Sequence, residues 1–165
     1  MIVTILGARP QFIKAAALSK EFINSGIEEK IIHTGQHYDP KMSDVFFKEL
    51  GIPGIDQNLH IGSGNHGEQT GEMMISIEKY LIENKAKIKA VLVYGDTNST
   101  LSGALTASKL HIPLIHVEAG LRSFNKEMPE EINRILTDHV SNFLFCSSEE
   151  GVNQLEREGI KNQVY

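Results

Sequence analysis

The chain has 165 residues, 41% hydrophobic and 22% charged, with 16 basic against 21 acidic side chains and a formal charge of -5. That length supports one domain with its own core, and the composition is ordinary for a globular protein. Several classes are excluded: no basic block suggests a nucleic-acid surface, no apolar run reaches membrane-spanning length, and one cysteine, Cys146, leaves no intrachain disulfide framework or cysteine-cluster metal site.

Met1 to Gly7 has neither a basic leader nor a long apolar region, so no signal peptide is expected and the expected compartment is the cytoplasm. Ile2 to Leu6 is a short β-branched run ending at Gly7, which predicts a buried strand. Pro10 suits a first helical turn, with Phe12, Ile13, Ala16, Ala17 and Phe22 as its apolar positions and Asn24-Ser25-Gly26 as its stop. Lys30 to Thr34 predicts a second strand, Pro40 to Leu50 a helix, and Leu59 to Ile61 a short edge strand. A long helix from about Gly67 to Asn84 sets Met74, Ile77, Tyr80 and Leu81 on one side.

Ala90 to Tyr94 is the clearest strand, and it feeds a helix through Leu110. Pro113 to Val117 follows as a strand, then a helix opened by Pro129 in which Ile132, Ile135, Leu136 and Val140 share a face. Asn142 to Cys146 is a further strand, and Ser147 to Glu150 forms a capping box for a last helix. Gln163-Val164-Tyr165 has the pattern of another strand beginning. Repeated strand-then-helix units predict an α/β fold, a Rossmann-like parallel sheet with helices on both faces and its ligand beyond the carboxyl ends of the strands.

Four strand ends carry residues that turns alone do not need. Arg9 and Lys14 follow the first strand, where cations oppose the helix dipole unless an anion binds or a carboxylate pairs with them. Gln36-His37-Tyr38-Asp39 could read a sugar or base, or could simply form an Asx-type turn. His33 and His37 straddle a strand end rather than a helix face, so no metal site is assigned to them. Asp96 follows an apolar strand, and the four capping residues Thr97 to Thr100 exceed what one helix requires. Glu118 ends a buried strand ahead of Ala119-Gly120; a buried Glu118–Arg122 pair is the alternative to a working carboxylate. Glu130 and Glu131 favour a helix dipole, and Glu130 could pair with Arg134. Gly62 to Gly67 fits G-x-G-x-x-G, but it lies off the first strand and lacks an acidic strand end at the right distance, so it is read as a glycine-rich loop able to close over ligand.

With Gly7-Ala8-Arg9-Pro10-Gln11-Phe12-Ile13-Lys14, Thr34-Gly35-Gln36-His37, Gly95-Asp96-Thr97, His116-Val117-Glu118-Ala119-Gly120-Leu121-Arg122 and Pro129-Glu130-Glu131-Ile132-Asn133-Arg134 in this order, the chain resembles the non-hydrolysing UDP-N-acetylglucosamine 2-epimerases. The resemblance implies half of a two-domain architecture like that of B-type glycosyltransferases, with residues 1–165 as the N-terminal domain and the UDP-binding domain outside this chain. It further implies interconversion of UDP-GlcNAc and UDP-ManNAc without a redox cofactor, for bacterial surface polysaccharide. By resemblance Asp96, Glu118 and Glu130 match the catalytic carboxylates, and Arg9 and Lys14 the basic residues near the phosphates. Gln36, His37, Arg122 and Arg134 are further candidates for substrate binding. A homodimer is expected of the full-length protein, and neither nucleic acid nor membrane as a partner. Gln11 stands where many members have Glu, and Glu127-Met128 replaces a longer aromatic segment; both features resemble the capsule and O-antigen branch, which includes epimerases of diacetamido uronic acid nucleotides. Alternatives are a hydrolysing epimerase, a B-type glycosyltransferase acceptor domain and a non-catalytic sugar-nucleotide-binding module.

The residue types suit this chemistry. The C2 hydrogen of GlcNAc is not beside a carbonyl, so elimination of UDP with loss of that proton, then re-addition, requires acid–base groups on both faces. Clustered carboxylates raise one another's proton affinity, and cations stabilise a departing diphosphate.

Overall fold

A computed structural model describes residues 1–36 and 54–165. Its strands are β1 (Ile2–Leu6), β2 (Glu29–His33), β3 (Gln57–Asn58), β4 (Ala90–Tyr94), β5 (Leu114–Ala119) and β6 (Phe143–Cys146). Its α-helices are α1 (Arg9–Asn24), α2 (His66–Asn84), α3 (Asn98–Lys109), α4 (Pro129–Val140) and α5 (Glu149–Arg157). The strands form one sheet in the order β3-β2-β1-β4-β5-β6, every pairing parallel. The order reverses between β1 and β4, and a parallel sheet opens a crevice at such a switch point.

The β-branched runs of β1 and β4 are buried on both faces because helices cover both sides. Val3, Ile5, Val91 and Val93 pack with Met73, Ile77 and Leu81 of α2 and Ala104 and Ala107 of α3. On the opposite face Leu6, Ile31, Leu92 and Tyr94 pack with Phe12 and Ala15 of α1. Ala119, Leu144 and Leu155 form a smaller cluster beneath α5. Val164 pairs in parallel with Leu144, so residues 163–165 extend the sheet past β6 as the sequence suggested.

Several expectations shift. The edge strand is Gln57–Asn58, not Leu59 to Ile61, and the helix expected over Pro40 to Leu50 lies outside the described residues. Ser148 alone caps α5, its Oγ accepting from the Gly151 amide at 3.3 Å. Helix α4 departs most. Its buried residues are Glu131, Asn133, Thr137 and Asp138, while Ile132 and Leu136 are exposed. The physical reason is that α4 faces strand ends and loops, whose amides and charges need polar partners rather than methyl groups.

His33 is fully buried, stacks on Phe12 with ring centroids 5.1 Å apart, and accepts from the Gly35 amide through Nδ1 at 2.7 Å. Burial, then the neighbouring His60, lowers its pKa to about 4. The unfolded chain therefore binds a proton between about pH 6.5 and 4 that the folded chain refuses, and the stabilisation present above that window is lost as pH falls through it. Urea unfolding should show the wild-type protein losing about 3 kcal/mol more than His33→Leu between about pH 7 and pH 4. Parallel pH profiles for the two proteins would contradict this assignment.

Candidate active site

The site grows from two loops that leave the central strands. After β1, the Gln11 side chain turns back and its Oε1 accepts from the amides of Gly7 and Ala8 at 2.7 and 3.0 Å. Its Nε2 donates to Tyr94 O at the end of β4 at 2.7 Å, and lies 2.9 Å from Thr100 Oγ1 and 3.1 Å from Thr97 Oγ1. One buried carboxamide thus joins the ends of β1 and β4. It also takes two amides at the start of α1 that an anion would otherwise use.

The residues Thr97 to Thr100 divide their labour. Thr97 caps α3 by accepting from the Thr100 amide at 3.2 Å. Asn98 bonds Gln69 at 2.8 Å and Asn133 at 3.2 Å. Ser99 bonds Thr34 at 2.8 Å and Gln36 at 2.7 Å, and Thr100 donates to Tyr94 O at 2.6 Å. Between them these four polar residues meet α1, α2, α4 and the ends of β2 and β4.

At the end of β5 the register with β6 slips between Val117 and Ala119, leaving Glu118 as an extra residue with φ of +74°. Such a bulge re-aims a side chain, and a non-glycine residue in this region carries backbone strain of order 1–3 kcal/mol. The Glu118 carboxylate forms an ion pair with Lys14 of α1. Gly95 has φ of +65°, and a Cβ there would sit 3.2 Å from Glu118 Oε2. Gly120, at φ of +81°, abuts Gly151, whose carbonyl oxygen would lie 2.3 Å from an added Cβ. The small residues after Glu118 therefore have a packing cause: they admit the first turn of α5.

Lys14, Gly95, Asp96, Glu118, Leu121 and Arg134 line one pocket of about 160 Å³. Asp96 pairs with Arg134 Nη2 at 2.5 Å, and Arg134 Nη1 lies 3.2 Å from Glu131. The pocket thus holds two carboxylates and two cations, each carboxylate matched with one cation. Asp96, Glu118, Lys14 and Arg134 are brought together. Gln36 sits apart, accepting from the Ser99 amide and hydroxyl. Arg9, the first residue of α1, is exposed and does not line the pocket. Glu130 is also exposed, in the first turn of α4, and does not line it either. His37 lies outside the described residues.

Arg122 is held elsewhere. Its side chain is 2% exposed, with Nη1 on Asp138 at 2.7 Å and Nε and Nη2 on Glu158 at 2.8 and 2.7 Å. Burial works against the Glu158 charge, but Arg122, Gln154 and His139 outweigh it and hold its pKa at about 2. The alternatives of a Glu118–Arg122 pair and a Glu130–Arg134 pair give way to Lys14–Glu118 and Arg134–Asp96.

Three further groups organise the site. Glu131 is buried and accepts from the Ser123 and Phe124 amides at 2.9 and 2.8 Å, fastening the loop after β5. Burial alone would raise its pKa, yet those two amides and Arg134 leave it lowered. His116 and Asp138 form a fully buried pair at 2.7 Å. A histidine inside the apolar run Leu114 to Val117 was the available signal, since a buried polar ring demands partners. Among the described residues no group of three His, Cys, Asp or Glu could hold a metal ion, and no helix is long and apolar enough to cross a membrane.

Fold and site together define a doubly wound α/β domain with a pocket of paired carboxylates and cations at the carboxyl edge of its sheet. A family profile described as UDP-N-acetylglucosamine 2-epimerase matches residues 20–165. The chain belongs to that family. It is 60% identical over 164 residues to a UDP-N-acetylglucosamine 2-epimerase homolog of Methanococcus maripaludis, covering 99% of this chain and 45% of that protein. It is 56% identical over 164 residues to the UDP-2,3-diacetamido-2,3-dideoxy-D-glucuronate 2-epimerase of Pseudomonas aeruginosa, covering 99% and 46%. The crystal structure of Methanocaldococcus jannaschii UDP-GlcNAc 2-epimerase in complex with UDP-GlcNAc and UDP superposes with a TM-score of 0.95 at 52% identity, over 99% of this chain and 45% of that one. The chain therefore spans about half the length of the relatives it matches.

Replacing Gln11 by Ala strips partners from the Gly7 and Ala8 amides and from Tyr94 O. Chemical denaturation should show a loss of about 2–5 kcal/mol, from buried groups left unpaired. A loss below about 1 kcal/mol would show that the carboxamide is not the link described.

Proposed function

We propose that the full-length protein of which this chain forms the N-terminal half is a UDP-N-acetylglucosamine 2-epimerase. The observation that carries this reading is the convergence of Asp96 and Glu118 with Lys14 and Arg134 in one pocket, in a chain of the epimerase family. A base removes the C2 proton while the C1–O bond to UDP breaks, giving 2-acetamidoglucal and UDP. Protonation at C2 from the other face and return of the UDP oxygen to C1 give the epimer. The sequence is redox-neutral, and the two proton transfers need two acid–base groups.

Asp96 and Glu118 serve as such groups from within the pocket, and Glu130 joins them from the first turn of α4 when the cleft is complete. Lys14 and Arg9 face the departing diphosphate, where a preorganised positive charge stabilises the developing anion. Arg134 orients Asp96, and Gln36 and His37 contribute to substrate binding. Arg122 supports the pocket from beneath through Asp138. The partner domain supplies the rest of the UDP site, and the isolated chain is catalytically inert. We place the protein in the cytoplasm as a homodimer serving surface-polysaccharide synthesis. The 56% identity to a diacetamido-uronate epimerase favours a second substrate reading, the same reaction on a UDP-diacetamido sugar. Parallel assays with both nucleotides decide between them.

In the full-length protein, Asp96→Asn and Glu118→Gln should each cut deuterium incorporation at C2 by at least about 100-fold, the usual contribution of a positioned acid or base. Normal exchange in both would remove them from the mechanism. The adjacent glutamates should separate. Glu130→Gln lowers kcat by about 100-fold with an unchanged melting temperature, while Glu131→Gln lowers the melting temperature by several degrees. Identical behaviour of the two variants would contradict the division of roles.

A further inference from the structure

Helix α4 presents Arg134 and Asp138 one turn apart toward the strand ends. Arg134 holds the side chain of Asp96. Asp138, with no exposed side-chain surface, accepts from the Gly120 amide at 3.1 Å and from Arg122 Nη1 at 2.7 Å, and meets His116 Nδ1 at 2.7 Å. The other ring nitrogen, Nε2 of His116, lies 2.8 Å from the carbonyl oxygen of Gly95. A carbonyl can only accept, and the Asp138 carboxylate already accepts from two N–H groups. The ring therefore donates to the Gly95 oxygen through Nε2, and Asp138 meets the ring at Nδ1.

Gly95 immediately precedes Asp96 and has a left-handed backbone, φ +65°. The plane of the Gly95–Asp96 peptide sets the direction in which the Asp96 side chain leaves the backbone, while Arg134 holds its far end, and His116 holds that plane by its oxygen. Asp138 holds the Gly120 amide, two residues beyond Glu118. One buried pair thus fixes the backbone just before one pocket carboxylate and just after the other. His116 itself does not line the pocket.

We propose that His116 is a positioning residue: its Nε2–H aims Asp96 by holding the Gly95 carbonyl, with Asp138 as the brace that orients the ring. This rests on the pocket being an epimerase half-site, and it assigns His116 no contact with the sugar or the nucleotide. A displacement of about 1 Å in a reacting group can cost about 100-fold in rate, so a group outside the pocket can govern turnover.

Two substitutions in the full-length protein separate positioning from mere packing. The amide of asparagine reaches where Nδ1 lies, and that of glutamine reaches where Nε2 lies. H116N keeps the partner of Asp138 and releases Gly95, whereas H116Q keeps the Gly95 contact and leaves Asp138 short of a partner. Positioning predicts that H116N loses about 100-fold in kcat with KM within about threefold of wild type, and that H116Q retains at least about ten times the kcat of H116N. Stability should run the other way, with H116Q melting lower because a buried carboxylate has lost a partner. The Asp96 amide ¹⁵N shift, which senses hydrogen bonding to the preceding carbonyl, should move in H116N and stay near wild type in H116Q. Equal kcat values, a kcat order that follows the melting temperatures, or an Asp96 shift unmoved in H116N would each overturn the proposal. If the wild-type protein epimerises neither nucleotide, the proposed reaction fails. The Asp96 shift in the two variants then decides by itself whether His116 holds the turn.

Discussion

The Gln11 carboxamide reaches across the switch point of the sheet. Its oxygen takes the amides of Gly7 and Ala8 and its nitrogen reaches Tyr94 O, so the loops leaving β1 and β4 cannot separate without uncovering buried polar groups. Those two loops deliver Lys14 and Asp96. The start of α3 continues the same network through Ser99 and Thr100, which tie β2 and β4 to one helix end. The carboxyl edge of this sheet is therefore held by a connected set of side-chain hydrogen bonds, whereas its middle is held by apolar packing against α1, α2 and α3.

Helix α4 performs the corresponding task on the other side of the pocket. Glu131 fixes the loop after β5, Asn133 reaches Asp96 O and Asn98, Arg134 holds Asp96, and Asp138 holds His116, Gly120 and Arg122. A helix that turns four polar side chains inward leaves apolar ones outside, which accounts for exposed Ile132 and Leu136. With Met74 and Leu101, Ile132 lines a separate groove of about 420 Å³.

The layered sheet was legible because its signals are local. Ala90 to Tyr94 is a five-residue apolar run closed by glycine, and β4 has those bounds. The convergence of Asp96 and Glu118 was legible for a related reason, since Asp96 follows β4 and Glu118 sits at the end of β5, and those strand ends share one edge. The orientation of α4 was not. Hydrophobic periodicity reports where methyl groups lie on a helix, and here the buried face is set by loop amides and charges instead. Glu130 and Glu131 are neighbours in sequence but about 100° apart around the helix axis, so only the packing of α4 reveals that Glu131 is the one enclosed. Gln11 and His116 carry no spacing signature. Each is a lone polar residue beside apolar ones, and its partners, Tyr94 O and Gly95 O, are backbone atoms that no side-chain motif records.

The arrangement of charge in the pocket has a consequence for how molecules find it. Lys14 with Glu118 and Arg134 with Asp96 sum to zero, so at a distance these four residues project the field of two ion pairs, which fades faster than that of a net charge. Screening by salt removes what remains beyond about 8 Å under physiological conditions. Capture of an anionic molecule by these four residues is thus a contact event, decided once the molecule is close enough to exchange partners with the lysine or the arginine. Any attraction that guides it from farther away must come from charges outside this quartet.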